Sequence, residues 1–256
     1  MNPRFILALV LSATPTLGQA RLVQAQKADD PPKAETILDR FVEVTGGKAA
    51  YARVKDRTVE GKIEIKGTGI SGKMTIAQAN QLMLTKVEFE QLGTTIQGVN
   101  KDVAWEVSPI TGPRILEGDE KASSIRESNL DNEPEWRKYY TKAETKGVED
   151  VDGKAAYKVE LTPKDGAAVT NFYDKQSGLL VRSDRVIKSP MGEIAVQTYL
   201  SDYKKVGEVL LPHKSKQTVL TQEVDLTFEK FKVNSGIPAD TFKLPEEVQK
   251  LVDKKK

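Results

Sequence analysis

The sequence predicts a mainly β fold with α elements: a curled antiparallel sheet or incomplete β-barrel with an N-terminal helix and a helical lid insertion. Three observations carry this prediction. Apolar and polar residues alternate with period two over many short runs, and residues that favour tight hairpins separate those runs. The helical segments are too short to cover a flat sheet of that extent. A strand with one apolar face must bury it against something, and a large, strongly twisted sheet tends to curl onto itself.

Taken in order, Ile37, Leu38, Phe41 and Val42 fall at helical spacing and predict a helix over 34–45, stopped by Gly46-Gly47. KAAYARVK (48–55) adds a further turn or two. The period then changes. In RTVEGKIEIKG, Val59, Gly61, Ile63 and Ile65 alternate with Glu60, Lys62, Glu64 and Lys66, which predicts a strand with one buried and one wet face. The same alternation predicts strands over 73–79, 82–90, 94–99 and 102–107. It resumes over 143–150, 154–162, 168–174, 179–188, 192–204, 208–220 and 222–233. Turns are marked by Asp152-Gly153, Lys164-Asp165-Gly166, Asp174 to Gly178, and Ser189-Pro190-Met191-Gly192.

Between the two sets of strands lies an insertion, 108–142, with helices expected at about 118–130 and 134–141. Trp136, Tyr139 and Tyr140 stand at i, i+3 and i+4 there and are expected to share a face. That face serves either as ordinary core packing or as the apolar underside of a cover. Gly112-Pro113 and Asn132-Glu133-Pro134 flank the insertion's helices as hinge turns.

The N-terminus, MNPRFILALVLSATPTLGQA, has a basic start at Arg4, then an apolar run too short to span a membrane and broken at Pro15. Residues 1–25 read as a secretory signal peptide cleaved after Ala20 or Ala25. Residues 26–33 read as a flexible leader, and 34–256 as a single domain. The chain contains no cysteine, hence no lipid-attachment cysteine and no disulfide. A soluble, monomeric protein of the periplasm is expected.

Charge argues against nucleic acid as the main partner, since 39 basic residues face 37 acidic ones for a net charge of +2. Catalytic chemistry is sparse. One imidazole, His213, supports neither a multi-histidine metal site nor an H-E-x-x-H motif, and there is no G-x-S-x-G elbow. Glu60/Glu64 and Glu88/Glu90 fall on wet strand faces, and Asp150-x-Asp152-Gly153 is a turn rather than a calcium loop. Gly67, Gly69 and Gly72 spell G-x-G-x-x-G. However, the strand before them carries a charge at every second position, unlike the doubly covered strand of a dinucleotide site, so a hairpin bend is expected. No enzyme activity, metal or cofactor is expected. The remaining feature is a large apolar sheet face. Its candidate lining residues are Ile63, Ile65, Met74, Ile76, Leu82, Leu84, Val103, Trp105 and Val107, with Trp136, Tyr139 and Tyr140 above them and Trp105 as the wall opposite.

Several stretches carry a family resemblance. ILDRFVEVTGGKAAYARVKDRTVEGKIE, YDKQSGLLVRSDRV, SDYKKVGEVLLPHKSKQT and the closing NSGIPADTFKLP resemble the LolA-like and LolB-like superfamily of outer-membrane lipoprotein-sorting proteins. WEVSPITGPRILEG is similar to an exported branch of the same superfamily. The resemblance runs from about residue 34 to 246. It implies an incomplete antiparallel barrel with a helical lid around a hydrophobic cavity for acyl chains. The function it implies is a soluble periplasmic carrier of lipid, lipoprotein acyl chains or a similar apolar ligand, loaded or unloaded by envelope membrane proteins. The alternative is a non-catalytic envelope module for protein or peptide, its sheet face fully packed.

Overall fold

The computed structural model describes residues 30–189 and 192–254. The expected signal peptide, most of the leader, Pro190 and Met191 of the turn expected at 189–192, and the last two lysines lie outside the described residues. Helix α1 (Ala34–Val44) buries Ala34, Ile37, Leu38, Phe41 and Val42, one stripe at spacing three and four. It ends at Thr45, whose hydroxyl donates to Phe41 O at 2.7 Å. Gly46 follows with φ +131°, and a Cβ there would meet Glu208 O at 2.6 Å, so the turn into α2 (Gly47–Arg53) needs glycine for both conformation and space.

From there the chain enters the sheet. Strands β1 (Asp56–Ile65), β2 (Ile70–Ala79), β3 (Leu82–Phe89), β4 (Gly93–Asn100), β5 (Val103–Ser108) and β6 (Gly112–Ile115) form one antiparallel meander. The insertion then runs through α3 (Gly118–Glu127) and the single turn α4 (Trp136–Tyr139). The chain re-enters the sheet as β7 (Tyr140–Val151), β8 (Lys154–Pro163), β9 (Val169–Asp174), β10 (Leu180–Ser189), β11 (Gly192–Val206), β12 (Val209–Val219) and β13 (Gln222–Val233). A 3-10 turn (Ala239–Phe242) and helix α5 (Glu246–Asp253) finish it.

The 13 strands make one sheet in the order β6-β5-β4-β3-β2-β1-β13-β12-β11-β10-β9-β8-β7. The chain therefore starts at the centre, meanders to one edge, crosses through α3 and α4 to the far edge, and meanders back until β13 pairs with β1. Strands β6 and β7 do not pair, so the sheet is open rather than a closed barrel.

Hairpin chemistry follows the expected signals. Asp152 and Gly153, at φ +51° and +78°, form a two-residue turn with both residues left-handed. Gly67 and Gly69 lie in the turn between β1 and β2, at φ +75° and +73°, while Gly72 is inside β2. The insertion differs most from expectation. Part of it, Gly112–Ile115, is the short edge strand β6, where Pro113 is tolerated because an edge strand has no outer partner to bond. The expected second helix shrinks to one turn because Tyr140 already pairs with Pro163 as strand. Helix α5 was not expected.

Candidate functional site

The register of the sheet sorts side chains into two faces. Arg57 on β1 lies across from Gln78 on β2, and Gln78 from Met83 and then Val99 and Ala104 along β3, β4 and β5. This is the concave face: Ile125 of α3 packs with Val99, Ala104, Leu116 and Met83. Helix α1 covers the other half, where Ile37, Leu38 and Phe41 form a core with Val159, Leu161, Tyr173 and Trp136.

Two adjoining cavities lie under these helices, each about 170 Å³, and both are lined by Phe41, Glu127, Asn132, Glu133 and Leu180. The first extends past Arg57, Leu200, Tyr203 and Leu211. The second extends past Trp136, Tyr140, Leu161, Tyr173 and Arg185. The wall of the first is mainly apolar and aromatic with a few polar groups, the usual make-up of a small-molecule site, whereas the second sets aromatic and aliphatic residues beside Arg126, Glu127, Glu133 and Arg185.

Polar ties hold the cover. Arg57 Nη2 donates to Gln78 Oε1 at 2.5 Å, and Gln78 Nε2 donates to Glu127 O, at the end of α3, at 2.8 Å. Glu127 also pairs with Arg185 of β10. At the start of α3, Arg114 forks onto Glu120 at 2.7 and 3.0 Å and reaches Glu106 at 3.0 Å. At the far end Arg137 forks onto Asp39 of α1, 2.7 Å to each oxygen, and the Trp136 indole N–H donates to the same carboxylate at 3.1 Å. The Arg137 hydrogen bonds hold the Asp39 carboxyl below its ordinary pKa.

Burial dominates the electrostatics inside. It pushes the Tyr51, Tyr173 and Tyr203 phenols well above their usual range. Glu133, in the turn before α4, lines both cavities. Burial pushes its carboxyl up, opposed by the charge of Arg57; burial likewise lowers Arg57, opposed by Glu133. Among the described residues no ion pair within 4 Å joins the two.

The structure separates the residues singled out from sequence. Ile63, Ile65, Met74 and Ile76 share the concave face with Arg57, further along the strands. Leu82, Leu84, Val103, Trp105 and Val107 fall on the opposite face. Trp105 stacks against Gly98 there with 1% exposure. On that face Asn100 donates to Phe242 O, and the 3-10 turn and α5 pack over β3, β4 and β6. Trp136 and Tyr140 line the second cavity, whereas Tyr139 turns toward a separate groove and its hydroxyl donates to Asp131. His213 has its Nδ1 3.1 Å from Leu211 O and its ring against Phe231. Among the described residues no group of three or more His, Cys, Asp or Glu is placed to hold a metal.

Arg57, Gln78, Leu180 and Tyr203 line the first cavity without being among the candidates read from sequence, and Glu133 was read there only as part of a hinge turn. Arg57 carried a signal: it stands in the same alternation as Val59, Ile63 and Ile65, a charge on the apolar side of its strand. Glu133, in a turn, carried none.

No protein-family model matches the sequence, and no curated protein matches it. Solved structures do share its fold. A LolA superfamily protein from Nitrosomonas europaea superposes with a TM-score of 0.56 at 11% identity, over 84% of this chain and 99% of that one. A DUF1329 family protein from Desulfovibrio piger gives 0.56 at 16% identity, over 82% and 97%. An outer-membrane lipoprotein-sorting protein domain from Vibrio parahaemolyticus gives 0.54 at 14% identity, over 82% and 97%. At these identities the likeness is one of fold. The fold is LolA-like.

Proposed function

We propose that this chain is an exported, non-catalytic carrier or binding protein that holds a lipid, a lipoprotein acyl chain or a similar apolar ligand inside the covered concavity of its sheet. The observation that carries the reading is the pair of adjoining cavities between the sheet and a cover tied down by polar contacts. A carrier needs such a cover, because each buried methylene is worth about 0.8 kcal/mol and a long chain does not cross water exposed. It must also release its cargo, which polar ties permit better than a sealed apolar seam. The likeness to a lipoprotein-sorting domain supports the reading at the level of fold. In the periplasm, membrane proteins of the envelope would load and unload a monomeric carrier. No described helix is long and apolar enough to cross a membrane.

A second reading, a packed protein- or peptide-binding module, draws on the modest size of each cavity, about 170 Å³. Uptake of a fluorescent acyl probe separates the two. The carrier binds it, and Leu180→Trp, which fills the space where the cavities meet, abolishes uptake in a chain that stays folded. A folded chain that takes up no probe supports the module.

A further inference from the structure

Unpartnered polar atoms gather around the cavities. Among the described residues, the buried side-chain atoms that make no hydrogen bond are Arg57 Nε, Arg185 Nε, Asn132 Oδ1, Asn171 Oδ1, Trp105 Nε1 and Ser215 Oγ. The first four belong to residues that line the two cavities. Folded proteins satisfy nearly all buried polar atoms, and each one left over is destabilising. Such atoms along two adjoining cavities suit a place that receives polar groups as well as apolar ones.

Arg57 stands out within the cluster. Its guanidinium is enclosed by protein and, being an arginine, stays charged there. Its side-chain partner is Gln78, a neutral amide that cannot compensate the charge. Glu133 attracts it across the cavity without reaching it. A buried cation lacking a contacting counter-charge is costly, and an acid group on a ligand would supply that charge together with an acceptor for Nε–H. Beyond the guanidinium the wall turns apolar, through Phe41, Leu180, Leu200 and Leu211.

We propose that the covered cavity takes its ligand by an anionic head, a carboxylate or a phosphate held by Arg57, with the apolar chain lying among Phe41, Leu180, Leu200 and Leu211. This rests on the carrier reading and narrows it from any apolar ligand to acid-headed amphiphiles. Glu133 lines the same cavity, and burial raises the pKa of its carboxyl, which eases its repulsion of an acid head.

The test compares two probes with one chain and different heads, the fluorescent cis-parinaric acid and its methyl ester. The intact chain binds the acid at least about tenfold more tightly than the ester, the range expected for a charge-assisted hydrogen bond. Arg57→Gln lowers the acid to the ester's affinity and leaves the ester unchanged; Arg57→Lys keeps part of the preference. Displacement of the acid probe by dodecanoate, dodecyl phosphate or both identifies which acid head is accepted. Equal displacement by dodecyltrimethylammonium overturns the proposal. So does equal affinity for acid and ester, or equal weakening of both by Arg57→Gln, and either result leaves the carrier reading standing. If a folded chain binds neither probe, the carrier reading and this proposal fail together. Should Arg57→Gln not fold, the acid–ester comparison on the unsubstituted chain still decides.

Discussion

Gly98 has no room for a side chain. A Cβ on it would lie 2.4 Å from Trp105 Cζ2 and 2.5 Å from Cε2, and Trp105, at 1% exposure, has nowhere to go. Gly98→Ala should therefore cost about 1–3 kcal/mol through overpacking, read as a lower urea midpoint at unchanged slope. An unchanged midpoint would mean that the indole is free to shift. Asp39 gives a second expectation, in pH. Its folded pKa lies below the unfolded value of about 3.9, so its tie to Arg137 and Trp136 stabilises the fold above that pH and is lost as pH falls through the lowered folded value. Both partners are about half exposed, so the contribution stays below about 1 kcal/mol. The melting temperatures of the unsubstituted chain and Asp39→Asn should differ at pH 6 and converge near pH 2. A constant gap would place the effect elsewhere.

At the scale of elements, α1 and α3 are held in different ways. Helix α1 buries five residues, whereas in α3 Ser124 alone is buried and the end of the helix depends on Gln78 and Arg185 meeting Glu127. Contacts of that kind exchange with water at little cost, so α3 belongs to the low-stability end of the fold. Amides over 121–127 should exchange hydrogen faster than those of β1 and β2 and slow when an acyl ligand is bound. Protection equal to the central strands would argue against a movable cover. The strands were legible because alternation reports one buried face directly. Alternation does not report which face is concave, and between β3 and β6 both faces are covered, one by α3 and the other by the 3-10 turn and α5. Ile63 and Trp105 therefore looked alike in sequence and stand on opposite sides. Strand β6 was hidden by its Gly-Pro start. Helix α5 was hidden because its eight residues, EEVQKLVD, bury only Val248. Of the cavity lining, the spacing singled out Trp136 and Tyr140, but it equally singled out Tyr139, which faces a separate groove. Arg57 showed only as a charge on the apolar side of its strand and Glu133 only as a turn residue, because the fold alone brings both to one cavity.

For the molecule as a whole, the strand order explains how a cover arises. A meander that begins at the centre of the sheet must carry the chain from one free edge to the other. The crossing segment lies over the concave face, between the sheet and solvent. Pairing of β13 with β1 joins the two halves into one wall, whose concave face α1 and the crossing segment cover between them. The same topology would serve a packed module if side chains filled the concavity, so occupancy is the deciding quantity. Native mass spectrometry of the gently purified chain, before and after incubation with excess long-chain fatty acid, measures it most directly. A discrete adduct of one amphiphile per chain, retained on mild activation, is the expected result. A bare chain mass under both conditions, from protein that is folded, would contradict it.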